Sequence, residues 1–142
     1  MVYESFSADE TKALGEKIAQ SAKEGSVFCL SGDLGVGKTV FTKGFAAGLD
    51  VDEYITSPTF TIVNEYEGRL KFYHFDVYRI TDPDELFDIG FEEYIYGNGV
   101  CLIEWAEIVK EDIPDGAIWI TIEKDLEKGL DYRRITVEGG TL

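Results

Sequence analysis

Apolar positions along this chain fall into short continuous runs and helically spaced sets, and their order predicts strands alternating with helices. Residues 2–6 make a short strand candidate. "SADE" follows as a capping box, with Ser7 as N-cap and Glu10 three positions on. Leu14, Ile18 and Ala22 then recur at helical spacing, and Gly25 is placed to close that helix. "SVFCLS" (26–31) is apolar nearly throughout, as a strand covered on both faces should be. After a glycine-rich loop comes a helix from about Lys38 to Ala47, with Phe41 and Phe45 on one face and Gly48 as its stop.

The next stretch, "TSPTFTIVNEYEGRLKFYHFDVYR" (56–79), reads as two strands of an antiparallel hairpin turning at Glu67-Gly68-Arg69. In "TDPDELFDIGFEEYI" (81–95), Asp82 is an N-cap, Pro83 the first helical position and Glu85 the residue three on from the cap. Gly90 divides that segment into two short helices. "GVCLIEW" (99–105) is a further buried strand, and "AEIVKEDIP" (106–114) a short helix ended by Pro114. "AIWITIEK" and "YRRITVEG" close the chain as a strand pair across "DLEKGL". Doubly covered strands alternating with helices predict a three-layer α/β domain, and the hairpins make its sheet mixed. With no linker or repeat in view, residues 1–142 read as a single domain.

Composition narrows the function more by exclusion than by suggestion. At 142 residues and 44% hydrophobic content the chain can bury one real core. A net charge of −15 argues against a general nucleic-acid binder, which needs clustered Lys and Arg. Arg133-Arg134 is the nearest approach to such a cluster, so any link to RNA is expected to be indirect. Cys29 and Cys101 sit inside apolar runs, and His74 is the single histidine, so neither a zinc site nor another metal cluster is expected. Buried reduced thiols fit a cytoplasmic protein. No run is long enough to span a membrane, and "MVYESFSADE" lacks the features of a signal peptide, so the protein is expected to stay in the cytoplasm.

The chemistry lies in "GDLGVGKT" (32–39), which fits G-x-x-x-x-G-K-[ST] between a predicted strand and a predicted helix. Gly32, Gly35 and Gly37 let the backbone turn tightly, so that amides of the loop, Asp33, Leu34 and Val36 included, can aim at phosphate oxygens. Lys38 can reach the β- and γ-phosphates, and Thr39 can offer its hydroxyl to Mg²⁺. A chance glycine loop is the alternative, and the strand and helix around the motif weigh against it. Such a loop needs a carboxylate on the metal side and a group that positions water. Two acids at predicted strand ends are candidates, Asp76 in "FYHFDVYR" and Glu104 in "CLIEWAE". Glu104 stands at the same end of its strand as the glycine loop, where ligands gather in parallel sheets. Its alternative is an ordinary acid exposed at a strand end. Asp76 shares a strand face with His74 and Tyr78, and its alternative is a structural pairing with Arg79 or His74. "TSPTF" (56–60) offers Thr56, Ser57 and Thr59 at the place of a γ-phosphate-sensing switch, or is simply the start of a strand. With no Asn-Lys-x-Asp guanine-reading motif and no arginine-rich lid, the residues themselves give a small nucleotide-binding α/β protein. A nucleotide-dependent binding module and a small-molecule kinase stay open beside an ATPase.

Taken together, "SADETKALG", "SGDLGVGKTVFTKG", "TSPTFTIVNEY" with "HFDVYR", and "LIEWAE" resemble the TsaE (YjeE) family over nearly the whole chain. The resemblance implies a P-loop fold with a mixed, partly parallel sheet that binds ATP or ADP with Mg²⁺. It implies weak ATPase activity alone and action with the TsaB–TsaD pair in threonylcarbamoylation of adenosine 37 of tRNA, where hydrolysis resets the complex between turnovers. Contact with tRNA is then through the partners. By matching motifs, Thr39 and Glu104 become the Mg²⁺ site and Asp76 a residue on the metal or water side. Lys38, Asp76 and Glu104 carry catalysis, Thr59 belongs to the switch-like segment, and Trp105 packs beside the nucleotide site or a partner surface. The adenine would lie near Ser7, Thr11 and Arg133.

Overall fold

The computed structural model describes residues 1–32, 36–56, 58, 62–82 and 84–139. The elements are β1 (Val2–Ser5), α1 (Ala8–Gln20), β2 (Val27–Ser31), α2 (Lys38–Gly48), β3 (Val63–Glu67) and β4 (Lys71–Asp76), then α3 (Asp84–Asp88), α4 (Phe91–Ile95), β5 (Val100–Glu104), a 3₁₀ helix (Ala106–Asp112), β6 (Ile118–Lys124) and β7 (Arg133–Glu138). The strands form one seven-stranded sheet in the order β1-β7-β6-β2-β5-β4-β3. Its centre, β6-β2-β5-β4, is parallel, and β3, β7 and β1 pair antiparallel.

Alternation along the strands sends side chains into two separate cores. Phe28, Leu30, Phe72, Val100 and Leu102 pack on one face beneath Ile18 and Ala19 of α1 and Phe41 and Phe45 of α2. Cys29, Phe75, Cys101 and Ile103 pack on the other beneath Leu86, Phe91, Ile95 and Val109. This is the expected three-layer α/β arrangement. Both cysteines are free and buried, and burial pushes each thiol up to about 12, which keeps them protonated fillers of the core.

Three glycines set the distance between the first two helices. A Cβ on Gly15 would lie 2.5 Å from the Phe41 carbonyl oxygen, one on Gly44 2.0 Å from that of Lys12, and one on Gly48 2.3 Å from that of Glu16. Gly48 is therefore the last residue of α2 rather than its stop, and it is there to let the backbones touch. Gly25 likewise does not close α1. That helix ends at Gln20, where the Ser21 hydroxyl and N–H both turn back to the Ile18 carbonyl. Gly25 serves instead at φ +81° in the turn before β2.

At other positions the structure shortens or reshapes what the pattern predicts. β4 stops at Asp76, whose Oδ1 accepts the Tyr78 N–H in a local turn, so Tyr78 lies beyond the strand face it was expected to share. The Asp82 carboxylate caps the start of α3 by accepting the Asp84 N–H, and Glu85 accepts from Thr81. Pro83 lies outside the described residues. Gly90, at φ +76°, separates α3 from α4. The short helix after β5 is 3₁₀, because it starts from Trp105 in a left-handed conformation (φ 62°) and is kinked at Val109. In the β3–β4 turn, the Arg69 guanidinium donates to the carbonyls of Ala19, Gln20 and Ala22 and so fastens the end of α1 and the turn after it.

Candidate functional site

The chain leaves β2 at Ser31 and returns as α2 at Lys38, so the glycine motif spans a strand-to-helix turn at the carboxyl end of the parallel strands. Gly32 takes φ +148°, and a Cβ there would lie 2.6 Å from the Ile122 carbonyl oxygen, so only glycine fits. Gly37 is the N-cap of α2 at φ +103° and has no side chain with which to cap it. The first-turn N–H groups of α2 therefore have no side-chain acceptor from the cap, the arrangement that binds anions at helix N-termini. Val36 is buried and Thr39 is exposed. Asp33, Leu34 and Gly35 of the motif, and Ser57 and Thr59 of the switch-like segment, lie outside the described residues.

Lys38 is the first residue of α2 and is 7% exposed. Its Nζ donates to the Gly32 carbonyl at 2.8 Å and lies 3.5 Å from the centroid of the Trp105 ring. Tyr78 packs against the same indole, with ring centroids 4.8 Å apart. The left-handed backbone of Trp105 turns the chain sharply out of β5 immediately after Glu104. Such a conformation is costly for a bulky residue and tends to persist at functional sites.

Glu104 and Asp76 are register partners across the parallel pair β4–β5, and Glu104 also pairs with Leu30 of β2. The period of two places both acids on the sheet face of Phe72, Val100 and Leu102, which is the face that α2 covers. They thus share both the edge and the face from which the glycine turn leaves. His74 sits on that face too, two residues before Asp76. It is 2% exposed, and its Nε2 meets Glu104 Oε2 at 2.7 Å. The Asp76 carboxylate accepts the Tyr78 N–H, while the His74 ring nitrogen Nε2 is turned to Glu104.

The available donors are all oxygen, from Thr39, Asp76 and Glu104, which suits a hard cation such as Mg²⁺. Among the described residues no group of three or more His, Cys, Asp or Glu side chains could hold a metal by itself. A cation here would draw its remaining ligands from phosphate and water, as Mg²⁺ ordinarily does.

Of the residues expected around a base, Thr11 and Arg133 come together. With Val36, Gly37 and Val40 they line a cavity of about 70 Å³ beside the start of α2. That volume accepts the edge of a ring rather than enclosing one. Arg133 Nε donates to the Val36 carbonyl at 2.6 Å and so ties β7 to the glycine turn. The Thr11 hydroxyl is engaged with Ser5 at 2.7 Å, and Ser7 is occupied in capping α1 by accepting the Glu10 N–H. A larger cavity, about 320 Å³, lies on the opposite face among Leu86, Phe91 and Ile95 and touches none of these groups.

Sequence reasoning missed the His74–Glu104 pair and the stacking of Lys38 on Trp105. The first had a signal, since His74 is two positions from Asp76 and one parallel strand from Glu104. The second depends on a backbone turn that spacing does not reveal.

The family described as "Threonylcarbamoyl adenosine biosynthesis protein TsaE" matches residues 5–135. A Bacillus subtilis protein named tRNA threonylcarbamoyladenosine biosynthesis protein TsaE is 50% identical over 129 residues, covering 90% of this chain and 78% of that protein. A Treponema pallidum protein of the same name is 48% identical over 118 residues, covering 83% and 87%. The crystal structure of Bacillus subtilis YdiB superimposes with a TM-score of 0.81 at 42% identity, covering 99% of this chain and 86% of that one.

Proposed function

Because this chain belongs to the TsaE family and so to tRNA threonylcarbamoyladenosine biosynthesis, we propose that it is the Mg²⁺-dependent ATPase subunit of that modification, acting with TsaB and TsaD in the cytoplasm. The observation that carries this reading is the convergence of three groups on one face and one end of the sheet. They are the uncapped N-terminus of α2 with Lys38, and the register-paired acids Asp76 and Glu104. The helix terminus and Lys38 would bind phosphate oxygens. Thr39 and Glu104, with Asp76 beside them, would hold Mg²⁺, which when bound neutralises charge on the β- and γ-phosphates. Thr11 and Arg133 would border the base. A chain of net charge −15 reaches tRNA through its partners rather than by its own surface. No helix among the described residues is long and apolar enough to cross a membrane.

The test is ATP hydrolysis by the purified chain with and without TsaB–TsaD, alongside repeated cycles of tRNA modification with the wild type and Glu104→Ala. We expect slow turnover alone, acceleration by the partners, and a variant that binds ATP yet stops after the first cycle. Turnover indifferent to the partners would count against the proposal. A Glu104→Ala chain that sustains repeated cycles would make the protein a nucleotide-dependent binding module. Transfer of the γ-phosphate to a metabolite instead of water would make it a kinase.

A further inference from the structure

His74 is not needed to explain the glycine loop or the two acids, yet it occupies the most enclosed polar position beside them. Its side chain is 3% exposed and that of Glu104 is 10% exposed. The ring stacks on Phe72 at 6.0 Å with planes 10° apart, which fixes its orientation. A carboxylate that ligates a metal only accepts hydrogen bonds, so for Glu104 in that role the 2.7 Å contact needs a proton on Nε2. The other ring nitrogen, Nδ1, is buried without a partner. A buried polar atom left unpaired costs about 1–3 kcal/mol, so its retention calls for a reason. The ring uses one nitrogen well and leaves the other unused, which is poor design for a core filler and good design for holding one oxygen.

Only Oε2 of Glu104 is engaged in this way, and no other described hydrogen bond or ion pair reaches that carboxylate. We propose that His74 is a positioning residue: its Nε2–H fixes Oε2, so that Oε1 is presented to the cation site at the carboxyl end of β5. This rests on the reading of Glu104 as a Mg²⁺ ligand. Carboxylates that bind metals are commonly held by such an outer hydrogen bond, and removing it costs roughly 10–100-fold in metal affinity.

The experiment measures binding of a fluorescent ADP analogue to the full chain as Mg²⁺ is varied, for wild type, His74→Phe and His74→Gln. Phenylalanine keeps the planar ring and removes the donor, whereas glutamine can place an N–H near the position of Nε2. We expect His74→Phe to need at least about tenfold more Mg²⁺ for half-maximal effect, with binding in EDTA unchanged and His74→Gln restoring most of the metal dependence. A folded His74→Phe chain with wild-type Mg²⁺ dependence would overturn the proposal. Should that variant fail to fold, ¹⁵N NMR of the wild-type ring decides, since the chain has one histidine. The proposal requires a proton on Nε2 and a marked shift of that resonance in Glu104→Gln; an unprotonated Nε2, or no shift, sinks it. A chain that binds no nucleotide at any Mg²⁺ concentration refutes the ATPase reading instead, while the NMR result still reports on the pair.

Discussion

Replacing Gly44 by alanine tests the claim that α1 and α2 meet backbone to backbone. The added Cβ would lie 2.0 Å from the Lys12 carbonyl oxygen, 2.8 Å from its carbon and 3.0 Å from its Cα, and none of these is the end of a flexible side chain. Ordinary contact begins at 3.4 Å, so the helices must part by up to about 1.4 Å. A gap of 0.5–1 Å already forfeits about a quarter to a half of the dispersion well at each contact, and Phe41 and Phe45 lie in this interface. Overpacking of this kind costs about 1–3 kcal/mol. Alanine is also the better helix former by about 1 kcal/mol, which acts in the opposite direction. The extreme closeness here puts the steric cost at the upper end, for a net destabilisation of about 2 kcal/mol. For a chain of this size that lowers Tm by about 7 °C. The assay is thermal unfolding followed by circular dichroism at 222 nm, with Gly116→Ala as control because nothing lies within 4 Å of its Cβ position. A Gly44→Ala chain that melts at or above the wild-type temperature would refute the reasoning, since helix propensity alone predicts that sign.

Lys38→Ala should weaken ADP binding roughly 10–100-fold, the loss of a charge-assisted contact worth about 1.5–3 kcal/mol; an unchanged affinity in a fluorescence titration would contradict the placement of phosphate at the start of α2. The Tyr132 hydroxyl donates to Glu4 at 2.7 Å, and this bond, with the Lys128 charge, holds the Glu4 carboxyl below its ordinary value of 4.5. A depressed folded pKa stabilises above the unfolded value and ceases to do so as pH falls through the folded one. The gap in Tm between wild type and Tyr132→Phe should therefore be steady near neutrality and narrow as pH drops below the ordinary carboxylate range; a gap that does not change with pH would refute the ionic hydrogen bond.

The elements legible in the sequence were those specified by local chemistry. Ser7 and Glu10 announced the start of α1, and Gly90 the break between α3 and α4. The continuous apolar runs of β2 and β5 announced strands buried on both faces. Positions governed by distant parts of the chain were misjudged. Gly48 looked like a helix stop because its contact with Glu16 lies on another helix. The helix after β5 looked ordinary because the left-handed turn at Trp105 has no glycine to mark it. In the site, the motif placed Lys38 and Thr39, and strand ends placed Asp76 and Glu104. The pairing of His74 with Glu104 depends on β4 and β5 being adjacent and in register, which no local pattern encodes.

The edge of the sheet has a consequence for how the chain is made. β1 comprises residues 2–5, but its partner is β7, with Val2 opposite Thr136 and Ser5 opposite Arg133. During synthesis β1 must wait, unpaired, until β7 has been made. Long-range pairing of this kind is slow, and an unpaired strand is exposed while it waits. β2, α2, β4 and β5 all precede residue 105, so Lys38, Asp76 and Glu104 are all made before the strand that closes the edge. Arg133 arrives only with β7, which makes the wall beside Thr11 the final part of the site to be built.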